Sequence, residues 1–148
     1  MGLDMYLRGK RYLWGSDEGD KAIAEDVAKA IGKPGLRVRE VTVLIGDWRK
    51  ANAIHNWFVE NVQDGEDNCR PYFVDSGQLD DLRELCIKLL ATKDVKAAAE
   101  LLPVAEGFFF GSQEYDGWYW QDLAQTVDII DSCNALGAGW EFEYQSSW

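Results

Sequence analysis

Beyond Lys96 this chain contains no lysine, arginine or histidine, yet its last 52 residues carry nine carboxylates and 11 of the 19 aromatic rings. A fold built on such a segment has to bury the rings. It must also leave the acids in water or pair them with cations from earlier in the chain, because an unpaired ionised carboxylate in a core is far too costly. The asymmetry runs through the whole molecule. Up to Val74 there are 11 Lys+Arg against 12 Asp+Glu, a net of −1; from Asp75 there are 4 against 14, a net of −10. A surface that is acidic and aromatic together repels nucleic acid and anionic membranes, and it attracts basic protein surfaces. The expected partner is therefore a basic protein, with no direct nucleic-acid contact and no membrane.

Length and composition agree with a single domain over residues 1–148, since 47% hydrophobic and 28% charged residues describe a globular chain. No apolar run approaches the roughly 18 residues of a membrane span. Met1-Gly2-Leu3-Asp4-Met5-Tyr6 has neither the basic nor the apolar region of a signal peptide, and Tyr6 stands where a myristoylation motif wants Ser or Thr. Cys69, Cys86 and Cys133 are odd in number and widely spaced, so no disulfide framework or zinc site is encoded. The expected setting is a reducing cytoplasm, with no metal and no cofactor.

Periodicity predicts a mixed α+β domain, a small antiparallel sheet packed with several amphipathic helices. Strands are expected over Leu3–Leu13, Val38–Ile45, Arg70–Val74 and Trp140–Tyr144. An amphipathic helix should open at Ser16-Asp17-Glu18 and run to about Ile31, with Ala22, Ile23, Val27 and Ile31 on one face. Gly46-Asp47 should cap a second helix from Trp48 to about Val62. Asp75 or Ser76 should cap a third, whose Leu79, Leu82, Leu85, Cys86, Leu89 and Leu90 fit the 3.6 period. Asp94 starts a short helix that ends near Pro103. Gly107-Phe108-Phe109-Phe110-Gly111 reads as a buried strand or tight loop, and Ser112 as the cap of the longest helix, to about Leu136.

Few residues offer chemistry. His55, the only histidine, falls within the apolar stripe Trp48, Ala51, Ile54, Phe58, Val59 and Val62. It reads either as a buried imidazole bonded to a carboxylate or backbone group, or as part of a polar cleft with Arg49, Asn52, Tyr115 and Asp116. Trp57 lies opposite that stripe, as a second buried contact or as an exposed anchor. On the longest helix Tyr115, Tyr119, Leu123, Val127, Ile130 and Cys133 define the apolar face. Glu114, Gln121, Gln125, Asp128 and Asp131 gather on the other side, with Glu141 and Glu143 extending the acidic surface. Asp116 falls nearer the apolar face, where it serves as a cap or an ion-pair partner. No P-loop, dinucleotide GxGxxG, GxSxG elbow or HExxH motif is present, and Asp64 to Asn68 lacks the spacing of a calcium loop, so no catalytic residue is assigned.

Four segments carry a resemblance: Gly2-Leu3-Asp4-Met5-Tyr6-Leu7; Trp48 through Val59 (WRKANAIHNWFV); Gly107-Phe108-Phe109-Phe110-Gly111-Ser112 with Tyr115-Asp116; and Tyr144-Gln145-Ser146-Ser147-Trp148. Together they resemble a family of small phage- and prophage-encoded proteins. The resemblance implies an accessory protein made in the cytoplasm of a host bacterium. Such proteins act on host machinery by stoichiometric binding, anti-CRISPR and other anti-defence roles included. Three readings follow. The first is an inhibitor whose acidic surface (Glu114, Asp128, Asp131, Glu141, Glu143, with Trp57) occupies a basic groove of a host nuclease or CRISPR effector. The second is a binder of a nucleotide-like ligand, or an enzyme, using the Arg49–Asn52–His55–Tyr115–Asp116 cleft. The third is a homodimer sealed by Trp57 and the tail aromatics.

Overall fold

Strand alternation gives the sheet one dry face and one wet face. In β1 (Asp4–Tyr12) Met5 and Leu7 are buried, while Asp4, Tyr6, Arg8 and Lys10 project from the opposite side. β4 (Glu141–Ser147) repeats the pattern, with Phe142, Tyr144 and Ser146 inward and Glu143 and Gln145 outward. The computed structural model describes residues 2–107 and 110–148. Its four strands, completed by β2 (Glu40–Arg49) and β3 (Tyr72–Val74), form one antiparallel sheet in the order β2-β1-β4-β3. With the helices α1 (Glu18–Ala30), α2 (Asn52–Asn61), α3 (Ser76–Thr92), α4 (Val95–Leu101) and α5 (Gly117–Ala135), the fold is α+β.

The core lies between the dry face and α2, α3 and α5. Leu79, Leu82, Cys86 and Leu89 of α3 meet Tyr119, Leu123, Ile130 and Cys133 of α5 in one cluster with Met5, Leu7, Trp48, Ile54 and Phe58. Each fully buried side chain of this size contributes about 1.5–3 kcal/mol. Four helices begin at an aspartate whose carboxylate accepts backbone N–H groups: Asp17, Asp75, Asp94 and Asp116. Asp75 completes a capping box with Gln78. Each such cap is worth about 1 kcal/mol.

Three expectations are corrected. β2 does not stop at Ile45 but continues through Trp48 to Arg49, so the second helix starts at Asn52 rather than Trp48. Trp48 pairs with Met5 across the sheet, buries its ring and donates Nε1–H to Thr126 Oγ1 at 2.9 Å. Gly46 is no helix cap: a Cβ there would collide with the Ile129 side chain, so glycine lets α5 approach the strand. Lys50, in the left-handed region at φ 60°, makes the turn into α2. The longest helix starts at Gly117, capped by Asp116 rather than Ser112, which leaves Glu114 and Tyr115 in the preceding segment. Of the predicted Gly107–Gly111 element, Phe108 and Phe109 lie outside the described residues; Phe110 N–H donates to Gly107 O.

The third correction concerns α1. Ala22 and Ile31 are exposed and Ile23 and Val27 only half-buried, whereas Asp20 and Ala28 are the buried positions. The main core cluster draws no buried residue from the chain between Leu7 and Trp48. α1 therefore stands off the end of the sheet, held by a polar anchor. Asp20 Oδ1 accepts from Arg11 Nε and Nη2 at 2.9 and 2.7 Å, and Oδ2 accepts Trp14 N–H at 3.0 Å.

Candidate functional site

His55 sits at the centre of a buried hydrogen-bond chain. Its Nδ1 lies 2.8 Å from Tyr144 Oη and its Nε2 lies 3.0 Å from Asp67 Oδ2. Trp148 Nε1–H donates to the other Asp67 oxygen at 3.0 Å. Burial, reinforced by the Asp67 carboxylate and Cys69, pushes the Tyr144 phenol well above its ordinary range. The phenol therefore keeps its proton and lies within hydrogen-bond reach of Nδ1, while Nε2 faces Asp67. Phe58 stacks on Tyr144 at 3.8 Å, and Phe110 meets both His55 and Trp148 edge-on. The order carboxylate–imidazole–hydroxyl is that of a nucleophile relay, but Tyr144 is 0% and His55 1% exposed, so both rings lie in the interior. The chain satisfies buried polar groups and ties the C-terminal residues to α2 and the loop bearing Asp67.

The expected polar cleft is not assembled. Arg49 is on the wet face of the sheet, 3.6 Å from Asp4, whereas Asn52 and His55 are buried beneath the dry face. Asn52 Nδ2 donates to the carbonyls of Phe110 and Ser112, and its Oδ1 accepts Ala105 N–H. Tyr115 Oη accepts Val104 N–H, and the Asp116 carboxylate is occupied capping α5. Four of the five side chains thus spend their polar atoms on fold. They do so at the meeting point of the distinctive segments: Lys50 N–H reaches Leu3 O, Asn52 holds Phe110 and Ser112, and His55 holds Tyr144.

The acidic set is divided between two faces. Glu143, on the wet face, is bound by Lys10 at 2.6 Å and by Arg8 at 3.9 Å. Glu141 belongs to the same strand face and is exposed. Glu114, Asp128 and Asp131 lie along α5 and the segment leading into it, across the sheet from Glu143. Asp131 pairs with Arg83 of α3. Glu114 and Asp128 are exposed and, among the described residues, make no ion pair. Trp57 is half-buried against Phe58 and the core, the reading of a second buried contact rather than a free anchor. Trp118, which the sequence reading passed over, is 70% exposed on the first turn of α5. It shares that flank with Asp122, whose carboxyl is pushed up to about 7 by burial and by the Asp116 charge.

A second surface went unforeseen. α1 and the chain segments flanking it enclose a groove of about 580 Å³, lined by Tyr12, Trp14, Lys29, Arg37 and Arg39 among others. Tyr12 and Trp14 stack tilted at 4.6 Å, and Arg39 Nη1 donates to Tyr12 Oη at 3.1 Å. The sequence carries a signal for it: from Val27 to Arg39 there are four cations and no carboxylate, in a chain of net charge −11. Among the described residues no three His, Cys, Asp or Glu side chains gather as a metal site, and no helix is long and apolar enough to cross a membrane. Comparison of the chain with protein-family models, with curated proteins and with solved structures finds no match.

Proposed function

We propose that the protein is a stoichiometric binder that inhibits a basic host protein, a nuclease or CRISPR-type effector, and that it docks through the exposed flank of α5. The setting, an accessory protein of the phage or prophage kind, rests on the resemblance of the four segments. The single observation that carries the docking surface is Trp118. It is a large ring left in water on the first turn of α5, the helix that carries Asp128 and that follows Glu114, two exposed carboxylates with no cationic partner among the described residues. Tryptophan is among the most effective anchors in protein interfaces, and unpaired carboxylates on the same element and the segment before it favour a cationic surface and speed its encounter. Glu141, Glu143 and Trp57 are not part of this surface, because the first two lie across the sheet and the third packs inward.

Capture from bacterial lysate at low and high salt supplies the partner, and variants locate the contact. Trp118→Ala should weaken binding at least about tenfold, and Glu114→Lys with Asp128→Lys should abolish it, each with an unchanged melting temperature. Glu141→Lys should bind as the parent does. Retention of the partner by the double lysine variant, or absence of any basic protein in the low-salt capture, sinks the reading.

A further inference from the structure

We propose that the α1 groove is a binding site for a small planar aromatic phosphate of the 5′-mononucleotide class. Three observations meet there. The first is charge: residues 1–40 carry 8 Lys+Arg against 7 Asp+Glu, a net of +1, whereas residues 41–148 carry 7 against 19, a net of −12. The groove lies within the first of these segments, and its lining holds four cations, Lys21, Lys29, Arg37 and Arg39, against two carboxylates, Asp20 and Glu25.

The second is the state of its cations. Arg11 is committed to Asp20 and Lys21 is bridged to Glu18. Lys29, Arg37 and Arg39 line the groove and, among the described residues, make no ion pair, although the chain holds 26 carboxylates. Guanidinium groups present paired donors in a fixed plane and are suited to phosphate oxygens. The third is the aromatic wall. Trp14 is 63% exposed and packs tilted against Tyr12, so most of its ring surface is accessible to a planar ligand. Base–aromatic stacking is worth about 1–3 kcal/mol, and a cavity of about 580 Å³ falls within the range of small-molecule sites.

Size and field together select the ligand. A nucleic-acid strand leaving the groove would run over the −12 remainder of the surface, so the gain is confined to a ligand whose charge stays inside. An acidic peptide offers charge but no plane to stack. Asp20 accepts the Trp14 backbone N–H and so ties the chain that carries this ring to α1.

The test is calorimetric titration of the full chain with AMP, GMP, CMP and UMP, with ribose 5-phosphate and the corresponding nucleosides as half-ligands. At least one mononucleotide should bind saturably with Kd below about 1 mM, and its two halves should each bind at least about tenfold more weakly. Trp14→Ala, and Lys29→Ala with Arg37→Ala, all at exposed side chains, should each lose at least about tenfold while the melting temperature holds. Trp118→Ala should leave this binding unchanged, which separates the groove from the α5 surface. No saturable binding by any of the four, binding that survives the groove substitutions, or equally tight binding of hexaglutamate would overturn the assignment.

Discussion

Asp122 is a carboxylate placed where its surroundings oppose its charge: it is half-buried, and Asp116 at the start of the same helix adds a second negative group. Its ionisation is pushed up to about 7 from an ordinary 3.8. A raised carboxyl means that the folded state holds the proton more tightly than the unfolded chain. Between about pH 4 and 7 the native state therefore loses stability as pH rises, and above about 7 the full cost is present. Asp122→Asn should raise the melting temperature at pH 8 by roughly 2–4 °C, the effect of about 1 kcal/mol once partial solvent screening is allowed for. At pH 4 it should change little. Equal melting-temperature changes at both pH values would mean that the charge of Asp122 is not what strains this turn. The same scale shows what sequence reading reaches. His55 was legible as a buried ring needing a polar partner, and Asp116 as a possible cap. Asp67 and Tyr144, 12 and 89 positions from His55, were not, because their meeting depends on the sheet register and the loop path.

α1 shows how an amphipathic pattern can mislead about an element while its ends read correctly. Asp17 caps it and Ile31 closes it, as the sequence suggests. Its Ile and Val positions nonetheless face away from the main core, because the connection between β1 and β2 carries the helix off the end of the sheet. What holds it is Asp20, whose carboxyl the Trp14 N–H and the Arg11 guanidinium draw below its ordinary range. That contribution is present above the unfolded-chain value and is lost as pH falls through the folded one. Asp20→Ala should speed amide exchange through Glu18–Ala30 by at least about tenfold and leave β1 and β4 protected, since they share no core with α1. Exchange that rises equally in β1 and β4 would show α1 to be part of the cooperative core. The other missed boundaries, at Trp48 and Ser112, have a different source. Pairing of β2 with β1 extended a strand into a window of helical period, and Asp116 outcompeted Ser112 for the cap.

At the scale of the molecule, the starting expectation was one continuous negative patch. The carboxylates instead divide between the flank of α5 and the wet face of the sheet, and cations from β1 and α3 neutralise Glu143 and Asp131. The pairing partners lie far away in sequence, so only the antiparallel β1–β4 ladder and the α3–α5 contact bring them together. Among the described residues six Lys/Arg–carboxylate pairs form, most of them partly exposed and each worth about 0–1 kcal/mol, in a chain of net charge −11. Self-repulsion of the excess acids should outweigh them, since it acts over the whole surface and has few cations to offset it. Raising NaCl from about 20 to 200 mM shortens the screening length from roughly 20 Å to below 10 Å. The melting temperature should therefore rise by a few degrees, while affinity for a basic partner at α5 falls. Opposite signs in the two measurements are what an acidic docking protein requires. A melting temperature that drops on adding salt would mean that the ion pairs, rather than the uncompensated acids, govern the electrostatics of this fold.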